Sequence, residues 1–201
     1  MARSDNLYAL PENLPVPVDD GACDHLPGMR LPAIPLRSTG GGLVSLSDVD
    51  AKWVVAYFYP RTGLPSQDPP GGLAKWDAIP GSRGCTPQSC EYRDHHGQLS
   101  AQGARVFGVS TQDTAYQAEA AARLHLPFEL LSDASLELSG ALRLPTFVVE
   151  DQTLIKRLTL IARGGIIVKC FYPVFPPTAD AGNVLQYLQD HERLPNAGMQ
   201  N

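Results

Sequence analysis

Apolar and polar positions follow two different rhythms along this chain. Trp53-Val54-Val55-Ala56-Tyr57-Phe58-Tyr59 is a nearly unbroken apolar run, β-branched and aromatic, and Pro60 stops it. A run of that kind predicts a strand buried on both faces. Val106-Phe107-Gly108-Val109-Ser110 predicts a second. Residues 128–131 read as a short extended segment, and 146–149, 154–161 and 166–172 as later strands. Arg163-Gly164-Gly165 supplies the turn of the last hairpin. Between the strands the spacing becomes helical: residues 86–102, ended by Gly103; 116–124, with Thr111 or Asp113 as cap; 136–142; and 181–191, where Val184, Leu185 and Leu188 share a face. Early strands separated by helices must pair in parallel, whereas strands joined by a tight turn pair antiparallel. The expected fold class is α/β, with a mixed central sheet flanked by helices.

Two stretches break the rhythm. In residues 1–35 single apolar residues stand between Pro11, Pro15, Pro17, Pro27, Pro32 and Pro35, which predicts an extended arm lying on the domain. Residues 61–84 hold Pro65, Pro69, Pro70 and Pro80 with scattered glycines, and predict one long loop. Loops of such length within a compact domain are usually functional or disordered. The expected organisation is a Pro-rich arm over 1–20, a single domain over 20–191 with 61–84 as an inserted loop, and a tail over 192–201. Thr39-Gly40-Gly41-Gly42 is a turn before residues 43–46 and a short capped segment at 47–50. It is no phosphate cradle, because no helix bearing Lys-Ser/Thr follows.

Composition narrows the function classes. The 201 residues are 43% hydrophobic, enough for a core, and only 18% charged; glycine and proline number 18 each. The net charge of −5 argues against nucleic acid or an anionic membrane as the main partner. Four cysteines are too few for a disulfide scaffold. Residues 1–21 lack an apolar stretch of signal-peptide length, and the most apolar window, 158–175, carries Arg163 and Lys169. A soluble cytoplasmic protein is expected, with cysteines that serve chemistry more than architecture.

The chemically loaded segment is Gly81-Ser82-Arg83-Gly84-Cys85-Thr86-Pro87-Gln88-Ser89-Cys90-Glu91-Tyr92-Arg93-Asp94. It follows a buried strand and opens a helix, in whose first turn Pro87 is at home. Cys85 then sits at the helix N-terminus, where free N–H groups and the macrodipole favour a thiolate. Thr86 can cap, and Arg93 adds positive charge. Cys90 lies five residues on. On an intact helix that separation puts the two Cα atoms roughly 8–9 Å apart, and a disulfide requires no more than about 7 Å. Bridging them requires the first turns to unwind. Plainer readings stand beside this one. Both thiols can be buried and inert. A zinc site from Cys85, Cys90, His95 and His96 has poor spacing, since adjacent helix residues point apart. Cys23 and Cys170 read mainly as packing residues, with a part in redox exchange as the lesser alternative. The absence of Cys-x-x-Cys counts against a disulfide oxidoreductase.

The block Gly84–Asp94, the strand ending Tyr57-Phe58-Tyr59-Pro60, Val106–Ser110 and Leu126-Pro127-Phe128-Glu129-Leu130-Leu131-Ser132-Asp133 together resemble the peroxiredoxins, in particular the Q-type (bacterioferritin-comigratory-protein-like) subgroup. The resemblance covers roughly residues 20–191. It implies a thioredoxin-like fold and a thiol peroxidase that reduces hydrogen peroxide and alkyl hydroperoxides without metal, haem or flavin. It implies Cys85 as the peroxidatic cysteine, Cys90 as the resolving one, an intramolecular disulfide, and thioredoxin or a similar dithiol as reductant, in a monomer or homodimer. Lys156-Arg157-Leu158-Thr159-Leu160-Ile161 looks like the family's arginine-bearing strand, which makes Arg157 the candidate, and Gln88 matches a residue that helps hold it. The sequence departs from the family before Cys85: Ser82 stands three residues upstream, but the position seven upstream is Ala78 and not proline. Ser82 and Thr62 are both candidates for the active-site hydroxyl. The competing class is a non-catalytic thioredoxin-fold binding module or redox sensor that uses residues 61–84 as its surface.

Overall fold

A computed structural model describes residues 5–192. Its centre is β3 (Trp53–Phe58), all six residues of which are buried. β3 pairs in parallel with β4 (Ala104–Ser110), and β4 in parallel with β5 (Glu129–Ser132). On its other side β3 meets β8 (Leu158–Arg163) antiparallel, and β8 turns through Gly164-Gly165 into β9 (Ile166–Phe171). The hairpin β1 (Pro35–Ser38) and β2 (Leu43–Ser45) adds to β5, giving the order β2-β1-β5-β4-β3-β8-β9. A separate hairpin is made by β6 (Thr146–Val149) and β7 (Gln152–Ile155). The parallel centre and antiparallel flank follow the alternation read from sequence, and the whole is a thioredoxin-like mixed sheet flanked by helices.

Alternation along β3 divides the core. Trp53, Val55 and Tyr57, with Tyr59 beyond the strand end, face one layer: α2 (Cys85–Asp94), α3 (His96–Ala101), α4 (Thr114–Arg123) and α6 (Asp180–Glu192). Val54, Ala56 and Phe58 face the other, made of α5 (Glu137–Leu142) and the arm residues Cys23, Leu26 and Leu31. Residues 28–31 of the arm run along the start of β9: Gly28 and Leu31 N–H groups donate to Ile167 and Gly165 at 2.8 Å, and Ile167 N–H donates to Met29 at 2.8 Å. The arm thereby occupies backbone groups that an edge strand would otherwise leave open.

Several elements depart from expectation. The predicted loop at 61–84 contains a short helix, α1 (Gly72–Asp77), whose Trp76 is 3% exposed and packs with Ile79 against Phe147, Val149 and Leu154 of the β6–β7 hairpin. Burying a side chain of that size contributes about 2–3 kcal/mol, which explains why a proline-broken segment holds a fixed shape. The single helix expected over 86–102 is two, parted at His95. The strand expected over 154–161 is also two, because the chain changes direction at Lys156-Arg157. Pro35, read as the end of the arm, opens β1 over Pro35–Ser38. Thr86 is not a cap: the N-cap is Gly84, with no side-chain cap bond. Asp113 caps α4, its side chain accepting from Tyr116 N–H at 2.8 Å. The tail expected over 192–201 lies, beyond Glu192, outside the described residues.

Candidate active site

β3 ends at Phe58, and Tyr59-Pro60-Arg61 carry the chain to the N-terminus of α2. Cys85 is the first residue of that helix and is 3% exposed. Gly84 precedes it in the left-handed region (φ +97°), where a Cβ would stand 2.3 Å from Pro177 and 2.8 Å from Leu10. Only glycine permits this entry. The Cys85 sulfur accepts from two donors: Arg157 Nη2 at 3.1 Å and the Arg61 backbone N–H at 3.4 Å. As a thiol it donates to the Ser82 carbonyl at 3.6 Å.

Arg157 occupies the chain break between β7 and β8 and is 3% exposed. Its Nη2 also donates to the carbonyls of Gly81 (3.2 Å), Ser82 (3.5 Å) and Arg83 (2.9 Å). Its Nη1 donates to Gln88 Oε1. The planar fork thus faces sulfur with one arm and a helix glutamine with the other, a task a lysine ammonium cannot divide in the same way. Gln88 Nε2 in turn donates to Asp180 Oδ2 at 2.7 Å, which also accepts from Tyr92 OH (2.9 Å) and Thr159 Oγ1 (2.7 Å). Burial pushes the Asp180 carboxyl above its ordinary range, with the three hydrogen bonds and the Arg157 charge acting in the opposite direction. Tyr57 stacks on Tyr92 at 4.4 Å between ring centres and shares a hydrogen bond with Ser89 at 3.0 Å. Burial raises the pKa of both phenols, which therefore stay protonated.

Cys85, Arg157 and Gln88 therefore converge, as does the Ser82 backbone. The two candidate hydroxyls point elsewhere. Ser82 Oγ donates to the Trp76 carbonyl at 2.6 Å, and Thr62 Oγ1 donates to Gln112 Oε1 at 3.1 Å. Thr62 is fully buried and bound through its backbone too: its N–H donates to Gln112, and its carbonyl accepts from Gln112 and Tyr116. Cys90 lies on the same unbroken helix as Cys85, half-buried, and all four cysteines are free. Burial pushes the Cys90 thiol up, opposed by the nearby Arg93 charge. Sequence reasoning missed the Arg61 N–H, Asp180 and the Tyr92–Thr159 pair. Only Tyr92 gave a signal, as an aromatic inside the cysteine block.

The cleft beside Cys85 holds about 30 Å³. Its walls come from the arm (Asn6, Leu7, Ala9), the insertion (Gly63, Leu64, Trp76) and Arg83. Arg83 is 7% exposed and pairs with Asp5 at 2.5 Å and Asp77 at 2.9 Å, so one arginine ties both covers to the loop before Cys85. Among the described residues no group of three His, Cys, Asp or Glu could hold a metal ion, and no helix is long and apolar enough to cross a membrane.

A buried cysteine at a helix N-terminus, held by an arginine from a neighbouring strand on a thioredoxin-like sheet, defines a thiol-redox class. A family model described as Redoxin matches residues 26–188, and the chain belongs to that family. The chain is 31% identical over 163 residues to peroxiredoxin Q, chloroplastic, of Oryza sativa subsp. japonica, the match covering 81% of this chain and 66% of that protein. It thus spans just under two thirds of that relative's length. Among solved structures it is similar to peroxidoxin BcpB from Mycobacterium tuberculosis (22% identity, TM-score 0.67, 82% of this chain and 96% of the other). It is also similar to Xanthomonas campestris bacterioferritin comigratory protein, a structure concerned with alkyl peroxide reduction (21% identity, TM-score 0.62, 90% and 100%). At these identities the structures speak for the fold, and the rice relative carries the name of the subgroup that the cysteine block resembles.

Proposed function

We propose that the protein is a thiol peroxidase with Cys85 as its nucleophile. The observation that carries this is the pair of donors, Arg157 Nη2 and Arg61 N–H, on one buried sulfur at a helix N-terminus. Both stabilise negative charge on sulfur, and both stand where charge appears on oxygen when the O–O bond breaks. The Cys85 thiolate attacks one peroxide oxygen, the O–O bond breaks, and the leaving oxygen takes a proton to depart as water or alcohol. Cys85 is left as a sulfenic acid.

Cys90 then attacks that sulfur, expelling water and forming a disulfide. Because both residues lie on α2, whose geometry sets their Cα atoms roughly 8–9 Å apart, this step requires the first turns of the helix to unwind. A dithiol protein of the thioredoxin type reduces the product by exchange. A single chain supplies every residue of the first step, so a monomer suffices for it. The reaction needs a compartment that provides dithiols; the cytoplasm does, and so does the chloroplast named for the rice relative. A cleft of about 30 Å³ takes roughly two waters' worth of probe volume, which suits hydrogen peroxide. Alkyl hydroperoxides require the arm or the insertion to move aside.

The test is peroxide consumption with a thioredoxin system. Cys85→Ser is expected to abolish it. Cys90→Ser should keep one stoichiometric turnover and lose recycling by the dithiol. Full activity in Cys85→Ser would remove the proposal and favour a binding module.

A further inference from the structure

The cleft beside Cys85 is covered by two pieces of chain that are held in different ways. The insertion is anchored by packing: Trp76 of α1 is buried and sits with Ile79 against the β6–β7 hairpin. The end of the arm has no such anchor. Among the described arm residues 5–20 none is buried, and the first described side chains to enter the core are Cys23 and Leu26. The arm end is seated instead by polar ties to two arginines, each of which also holds the insertion. Arg83 pairs with Asp5 of the arm at 2.5 Å and with Asp77 of α1 at 2.9 Å. Arg123 of α4 donates to Tyr8 OH at 3.5 Å and to the Gly63 carbonyl at 2.9 Å. Half-buried Leu10 adds an apolar contact beside Gly84. The Asp5 and Arg83 side chains are only 19% and 7% exposed, so water and salt screen this pair less than a surface pair.

We propose that the Asp5–Arg83 pair is a latch that holds the arm end as a door over Cys85, and that these two residues set the specificity among peroxides. Hydrogen peroxide reaches the sulfur with the door closed; alkyl hydroperoxides react only in molecules whose door is open. The choice of peroxides as substrates rests on the peroxidase reading given above. Asn6, Leu7 and Ala9 form one wall of the closed cleft of about 30 Å³, which has space for roughly two waters. The carbon skeleton of an alkyl hydroperoxide does not fit there. When the arm end swings out, that wall is removed, while Trp76, Gly63 and Leu64 keep the opposite one. The arm moves and the insertion stays, because shifting the insertion would return the Trp76 ring to water, whereas shifting the arm end breaks mainly polar ties that water replaces. The rate with an alkyl hydroperoxide then scales with the fraction of open molecules, and that fraction is what the latch controls. Asp5 acts through the arm and touches no substrate, so it is a positioning residue.

The experiment compares kcat/KM for hydrogen peroxide and for cumene hydroperoxide, using the full chain and a thioredoxin system. Asp5→Asn removes the charge and keeps the shape. It should raise kcat/KM for cumene hydroperoxide about tenfold and leave that for hydrogen peroxide within about twofold. Asp5→Glu, which keeps the charge, should hold the ratio near that of the unmutated chain. Tyr8→Phe, which loses the hydroxyl at Arg123, should shift the ratio in the same direction by less. A merely structural injury would lower both rates together. A second measurement does not depend on peroxidase activity. In a Cys90→Ser background, alkylation of the Cys85 peptide by iodoacetamide and by the bulkier N-phenylmaleimide is followed by mass, and Asp5→Asn should accelerate the bulkier reagent more. If peroxide is turned over and the ratio of the two peroxides does not move in Asp5→Asn, the latch is overturned. If the unmutated chain turns over no peroxide, the peroxidase reading falls and the alkylation ratio decides the latch: a shift supports it, and an unchanged ratio overturns it.

Discussion

Cys85 and Cys23 are buried to nearly the same degree, 3% and 5% exposed, on opposite faces of one sheet. Cys85 faces a guanidinium and a backbone N–H. Cys23 lies in the opposite core layer without a guanidinium beside it; the influence of Cys170 and burial push its thiol up, and the Asp20 and Asp19 carboxylates on its own segment add to the rise. Under the proposed mechanism, burial is therefore not what separates the nucleophilic cysteine from the other. The separation comes from which dipoles and charges surround the sulfur when it becomes an anion, and from whether they also stand ready for the charge that leaves.

The largest effect on that contrast is expected from Arg157. Arg157→Gln keeps a polar side chain but removes the charge, and should lower kcat/KM for hydrogen peroxide about 10²–10³-fold, or about 3–4 kcal/mol, as for other preorganised donors at a developing anion. Arg157→Lys should recover only part of this, since one ammonium cannot face both the sulfur and Gln88. Stopped-flow peroxide consumption reads both. If Arg157→Gln stays near the wild-type rate, the helix terminus and Arg61 N–H carry the distinction between the two thiols alone.

A smaller loss is expected one step further back. Asp180 touches no substrate; it holds Gln88, Tyr92 and Thr159. Asp180→Asn should cost about tenfold in peroxide reduction through misplacement of the Gln88–Arg157 pair. Stability gives a second reading. The Asp180 carboxyl is raised above 3.8 in the fold by burial. Between that value and its folded one, the unfolded chain has lost the proton and the native chain keeps it. The Asp180 contribution to stability therefore falls as pH rises through this window, the reverse of an ordinary ion-paired carboxylate. Asp180→Asn should remove that segment of the curve, measured as the urea midpoint against pH. An unchanged curve would mean that the carboxylate is not held at a cost.

What was legible in the sequence follows the same physics. Trp53–Phe58 and Ala104–Ser110 were readable because strands buried on both faces must be apolar throughout, and Cys85 because a helix start after such a strand has few other shapes. Arg157 was visible only through resemblance: a lone arginine in an apolar strand looks like a surface residue, and its burial depends on carbonyls of Gly81, Ser82 and Arg83, far away in sequence. Trp76 was misread as part of a loop because its partners Phe147, Val149 and Leu154 lie far along the chain, and local periodicity carries no trace of them. The hydroxyls of Ser82 and Thr62 were read from the family's spacing, yet each is bound to a group that the insertion or a neighbouring loop supplies.

The smallest expected effect concerns the exposed end of the arm. Asp20 is held down to about 2, first by the hydrogen bond from Lys156 and then by that from Tyr172. Its contribution to stability is present above the ordinary value of 3.8 and lost as pH falls toward 2. The Asp20 and Lys156 side chains are exposed, so the contribution is slight and shrinks with salt. Asp20→Asn should lower the denaturation midpoint a little at neutral pH and low ionic strength, with the difference from wild type vanishing at the acid end. The same variant discriminates between the two thiols. Peroxide reduction at Cys85 should not change, because no residue of that site touches Asp20, whereas alkylation of Cys23 should accelerate as the arm loosens from Lys156 and Tyr172. If Cys23 reacts no faster, its protection comes from the core layer around Leu26 and Leu31 and not from the polar clasp.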